Sequence, residues 1–176
     1  MTNSLDNNIV LNKDNHEYRL LSEPELTFTS VTTFVDSFFE GFDSLKIATN
    51  LVQNHPRYAG CTVESLIAIW DKARDHGTLV HDEIENWIKY DVEPQTIKAI
   101  QGKNWLQNYQ MKSDIDISSE LIVYSSKLKI AGTVDILAQD NNTGQYELID
   151  WKTSKKIETV SYGYKMGTHD VTENVM

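Results

Sequence analysis

Apolar residues recur at spacings of three and four through the first two thirds of the chain, then at every second position from about residue 117. In "SVTTFVDSFFEGF" (30–42), Val31, Phe34, Val35, Phe38 and Phe39 keep helical spacing behind Ser30, a residue suited to an N-cap, and Gly41 is placed to end the helix. "DSLKIATNLVQN" (43–54) predicts a second short helix. "TVESLIAIWDKARDHG" (62–77) predicts another, with Thr62 and Ser65 as its cap and Leu66, Ile69, Trp70 and Ala73 as its stripe. "TLVHDEIENWIKY" (78–90) either continues that helix or bends from it at Gly77, with Val80, Ile84, Trp87 and Ile88 as the apolar face. Pro94 opens a further helix over 94–109, with Ile97, Ile100, Trp105 and Leu106 expected inside.

Beyond residue 117 the alternation predicts three strands in succession, in "SSELIVYSS", "KLKIAGTVDILAQ" and "GQYELIDWK". "DNNTG" (140–144) is a hairpin turn, because Asn and Gly accept the left-handed backbone that such turns demand. N-terminal helices followed by an antiparallel three-stranded meander predict an α+β fold, or a mixed α/β sheet if later elements join it. Upstream, 17–30 reads as a short hairpin around Glu23-Pro24. Residues 1–16 are rich in Asn and Asp and read as a loosely ordered N-terminus, which leaves 17–176 as a single domain.

Composition narrows the function classes. Of 176 residues, 40% are hydrophobic, enough for a packed core. No apolar run approaches membrane-spanning length, and the polar N-terminus lacks the layout of a secretory signal. A single cysteine, Cys61, excludes an internal disulfide and a four-cysteine metal site, so a reducing cytoplasm is the expected location. The net charge of −10 argues against a nonspecific nucleic-acid binder with a basic face. Its distribution weakens that objection: residues 127–165 hold six lysines against five acids. Clustered acids also suit magnesium or manganese, hard cations that take carboxylate oxygens.

The candidate chemistry lies where the strands end. If the second and third strands pair through 140–144, Asp135 falls level with Asp150, about 5 Å across the ladder. Two such carboxylates repel unless a divalent cation or the nearby Lys152 neutralises them. A Lys–Asp pair at a strand end is most often a solvated ion pair, but Asp135 lies in the apolar "IAGTVDIL", where an acid needs a partner. Gly132 hints at close approach by another group. His81 and Glu85 are four apart, at the flank of an apolar helix face. Glu120 opens the first strand, as an ordinary acid or as part of the site.

These residues together resemble the PD-(D/E)XK nuclease superfamily, and within it the RecB-like exonucleases, a group that includes the mitochondrial genome maintenance exonuclease and phage relatives. That pattern places G-x-x-x-H-x-x-x-E on a helix, G-x-x-D on one strand and (D/E)-x-K-T on the next. Here the matching residues are Gly77, His81 and Glu85; Gly132 and Asp135; and Asp150, Lys152 and Thr153. The likeness covers most of 26–157 and implies a restriction-endonuclease-like α/β core.

By that resemblance His81, Asp135 and Asp150 are metal ligands, joined by the carbonyl of Trp151. Lys152 orients or activates the attacking water. Glu120 is a further metal-ligating candidate, and Glu85 stands with the catalytic residues as a ligand or just behind one. Thr153, Lys155 and Lys156 contact nucleic acid. The implied cofactor is Mg2+ or Mn2+, and the implied substrate is DNA with single-stranded or free ends. The implied setting is cytoplasmic, the host cytoplasm if the gene is a phage's. Trp151, on the opposite strand face, is expected to pack against a helix.

The family's Gln-x-x-x-Tyr helix has no counterpart after Lys152, so the C-terminal part of the core is expected to be missing. An incompletely covered sheet favours self-association or a partner chain. The expected function is a metal-dependent DNA exonuclease. The alternatives are a catalytically inactive nucleic-acid-binding or assembly module of the same fold, and a small-molecule-binding or interaction domain.

Overall fold

The computed structural model describes residues 7–39 and 41–153. It is a mixed α+β structure of four helices and two sheets within those residues. Strand β1 (Ile9–Asn12) pairs antiparallel with β2 (Glu17–Leu20) in a small separate sheet. The short β3 (Thr29–Ser30) leads into α1 (Val31–Asp36), and α2 (Ser44–Asn54) follows. Then come α3 (Val63–Tyr90), α4 (Ile97–Gln110), β4 (Ile115–Ser125), β5 (Ile130–Asp140) and β6 (Tyr146–Ile149).

The meander expected from the alternation forms, with β5 at its centre. One edge of β5 carries β4 along its whole length, from Ile115 opposite Asp140 to Ser125 opposite Ile130. The other edge is shared. Near its start β5 takes β3 in parallel, and near its end it takes β6 antiparallel, with Ile136 opposite Ile149. The sheet is therefore mixed and four-stranded rather than purely antiparallel.

Each side of the sheet buries a different partner. Ile136 of β5 packs against Val80 and Ile84 of α3 and Ala99 and Leu106 of α4, with Trp151 against the same cluster as expected. Ala131, five residues earlier and so on the opposite face, packs under Ile9, Tyr18 and Leu20 of the β1–β2 hairpin. Residues 9–12 are thus a strand with a buried anchor, which corrects the reading of 1–16 as loosely ordered; 1–6 lie outside the described residues. The hairpin expected over 17–30 is reduced to one antiparallel bridge, Arg19 to Thr27.

One helix alternative is decided and three helix expectations change. No bend occurs at Gly77: α3 is a single helix of 28 residues, started by a complete Thr62–Ser65 capping box. A Cβ at Gly77 would lie 3.1 Å from Thr153 Oγ1, so the glycine serves close approach rather than a hinge. In α4 the buried residues are Ala99, Gly102 and Leu106, while Ile97, Ile100 and Trp105 are exposed. The small residues win that face because α3 comes so near. A Cβ at Gly102 would lie 2.8 Å from Ile84 Cδ1. Helix α1 keeps its Ser30 cap but stops at Asp36, short of Gly41. On α3, Ile69 and Ala73 are also exposed, so only Leu66 of the expected stripe is fully buried there.

Among the described residues no helix is long and apolar enough to cross a membrane.

Candidate metal centre

Three elements bring three ligating side chains together. His81 comes from the middle of α3, one residue after the buried Val80 and therefore on the flank of the core face. Asp135 precedes the buried Ile136 on β5, so strand alternation turns it away from the helix-side core. Glu120 lies between Ser119, opposite Ile136, and Leu121, opposite Val134, which puts it across the ladder from Asp135. One ligand atom from each of the three lies within 4.8 Å of the other two, and all three residues are half-buried.

The segment just past β6 closes the group. Trp151 N–H donates to Asp135 Oδ2 at 2.9 Å. His81 Nε2 lies 3.1 Å from the Trp151 carbonyl oxygen, and His81 Nδ1 lies 3.4 Å from Asp135 Oδ2. A carbonyl oxygen only accepts, so the first contact is a hydrogen bond when Nε2 carries the hydrogen. In the neutral ring that leaves the Nδ1 lone pair facing a carboxylate oxygen. A shared cation, either a proton or a metal ion, reconciles the two. One imidazole nitrogen and two carboxylates make a donor set that could hold a divalent cation, with the Trp151 carbonyl orienting the ring from its far side.

Glu120 is held at a cost. Its φ of 51° is in the left-handed region, which is unusual for a non-glycine residue inside a strand. Burial raises its pKa above the usual carboxylate value, and the negative charges of Glu85 and Asp135 raise it further; Lys89 and Lys13 oppose this. Glu85 itself is paired with Lys89 one turn along the helix, at 2.5 Å. Backbone strain together with mutual repulsion of acids is typical of a site shaped for a ligand rather than for stability.

The sequence had set Asp150 beside Asp135, and the structure sets Glu120 there instead. Strand β6 ends at Ile149, and the Asp150 carboxylate beyond it is not a member of the group. Asp150 pairs with Lys152 Nζ at 2.6 Å, with side chains 60% and 66% exposed. The physical reason is that the ladder stops one residue early. Asp150 is then free to turn toward solvent and its nearest ammonium, while the main chain of Trp151 takes the place beside Asp135.

Glu85 is near enough to Glu120 to repel it, and its own oxygen is taken by Lys89. Thr153 offers its carbonyl to Lys98 Nζ and its hydroxyl toward Gly77. Lys155 and Lys156 lie outside the described residues. Gly132 does mark a close approach, but the neighbour is Val31: a Cβ there would lie 2.8 Å from Val31 Cγ2. Sequence reasoning missed Lys89, although a lysine four residues after Glu85 is a helical ion-pair signal. It also missed Lys13, whose proximity to Glu120 no local pattern reveals.

Compared with protein-family models, with curated proteins and with solved structures, the chain finds no match in any of the three.

Proposed function

We propose that this chain is a metal-dependent nuclease of the PD-(D/E)XK type, hydrolysing phosphodiester bonds at DNA ends. One observation carries the reading: His81, Glu120 and Asp135 converge from a helix and two strands, with the Trp151 carbonyl beside them and Lys152 next in the chain. A divalent ion, when bound, supplies positive charge for the phosphoryl oxygens and acidifies a water molecule. The residues that would hold it are His81, Glu120 and Asp135, with the Trp151 carbonyl fixing the imidazole. Asp135 also fixes the main chain at Trp151, the residue before Lys152. Lys152 is the water-orienting cation in this reading, and Asp150 holds its ammonium.

The second reading is a nucleic-acid-binding module without catalysis. The solvated Lys152–Asp150 pair favours it, because that ammonium is neutralised by Asp150 at the surface.

Incubation of the purified chain with end-labelled single-stranded DNA and Mn2+ separates the two. The nuclease reading expects degradation that excess EDTA stops and that Lys152→Ala abolishes without lowering the melting temperature. DNA bound but left intact in Mn2+ establishes the module instead.

A further inference from the structure

The group of two acids and one histidine adjoins, at Glu120, a cleft that metal binding alone does not explain. The cleft has a volume of about 610 Å³ and lies between the β1–β2 hairpin, the start of α1 and the sheet. Glu120 belongs to both, so the cleft and the candidate metal centre are continuous. Lys13 and His16, from the hairpin turn, stand at its wall with Thr32 and Thr133. Leu11 and Val123 supply an apolar side.

The hairpin is anchored in place. Ile9, Tyr18 and Leu20 are buried against Ala131, and the Tyr18 hydroxyl shares a 3.0 Å hydrogen bond with Thr133 Oγ1. His16 adopts a left-handed φ of 55° in the turn, and its ring stands edge-on to Tyr18 with centroids 6.0 Å apart. Two residues with cationic or hydrogen-donating heads are thus carried by a braced element beside a set of carboxylates. The Lys13 charge is felt at Glu120. In a chain of net charge −10, an anionic strand approaching these acids meets repulsion unless local cations receive it.

We propose that the cleft holds one nucleotide of the strand whose backbone is cut, with its phosphate on Lys13 and His16 and its sugar and base along Leu11 and Val123. This rests on the nuclease reading of the adjoining centre and specifies which side chains receive the nucleotide beside it. A space of this volume suits one nucleotide, and pockets for small ligands commonly span about 300–1,000 Å³.

The test measures fluorescence anisotropy of a labelled single-stranded oligodeoxynucleotide in Ca2+, alongside the Mn2+-induced rise in melting temperature. The variants are Lys13→Gln with His16→Ala, and Lys112→Gln, which removes one positive charge outside the cleft. The double variant is expected to bind about tenfold more weakly. Lys112→Gln is expected to bind within about twofold of the parent, the small effect of a remote exposed charge. All three proteins are expected to keep the same Mn2+ shift. Equal binding by the double variant and Lys112→Gln overturns the assignment, as does the absence of binding by the parent chain. Loss of the Mn2+ shift in the parent overturns the metal centre itself, a separate failure.

Discussion

Replacing Glu120 by glycine and by glutamine separates what the backbone bears there from what the carboxylate does. A non-glycine residue at φ 51° costs about 1–3 kcal/mol. Glycine removes that cost but adds about 0.5–1 kcal/mol of chain entropy lost on folding. Glutamine removes the charge and keeps the strained backbone. Glu120→Gly is therefore expected to be more stable than Glu120→Gln by about 1 kcal/mol. That difference corresponds to about 2–4 °C in melting temperature for a chain of this length. Both substitutions remove one of three ligands, so both should lose most of the Mn2+-induced stabilisation. Thermal denaturation by circular dichroism, with and without Mn2+, reads all of this. A glycine variant less stable than the glutamine variant would refute the strain, and an undiminished Mn2+ shift in both would refute the ligand.

The raised pKa of Glu120 makes the metal-free fold bind a proton more tightly than the unfolded chain. Its contribution to stability is full below the ordinary value of 4.5 and falls as pH rises through the higher folded pKa. Urea titrations should show that decline, and Glu120→Gln should remove it. Lys152→Ala breaks only a solvated pair, so its unfolding free energy should stay within about 0.5 kcal/mol of the parent while cleavage is lost. Gly132→Ala forces a Cβ against the stiff Val31 side chain and should destabilise by about 1–3 kcal/mol in the same denaturation assay. The Tyr109 phenol, hydrogen-bonded to Glu147 and raised to about 12, should cost stability as pH climbs from 10 toward 12, and Tyr109→Phe should flatten that loss.

The change of period near residue 117 located the sheet, and the 140–144 turn fixed its register, because a strand that alternates can pair in few ways. Val80 and Ile84 announced their burial for the same reason, and His81 beside them fell on the flank as spacing required. The α4 core face was not legible. A hydrophobicity pattern favours Ile97, Ile100 and Trp105, while the deciding quantity was the clearance between two helices, which admits Ala99 and Gly102. The hairpin at 9–20 was hidden in the same way, since four-residue strands carry little periodicity and their burial depends on Ala131, more than a hundred residues away. At the candidate site, residue types and order pointed to His81, Asp135 and Glu120, and also to Asp150. The loss of Asp150 from the group turned on where β6 stops, and strand ends are set by the geometry of neighbours rather than by local composition.

Helix α3 also carries Glu83, two residues past His81 and roughly on the other side of the cylinder. Its carboxylate accepts from Thr96 N at 2.8 Å and Thr96 Oγ1 at 2.7 Å, at the head of α4. Burial pushes the Glu83 pKa up, yet the Thr96 and Gln95 hydrogen bonds together outweigh this and bring it below the usual value. The rod is thereby pinned from two directions, by its imidazole toward the sheet and by its acid toward the neighbouring helix. It cannot roll about its long axis without breaking one attachment. The aim of the imidazole is consequently governed by a threonine in a different helix, and loosening Thr96 should blur that aim without touching any ligand.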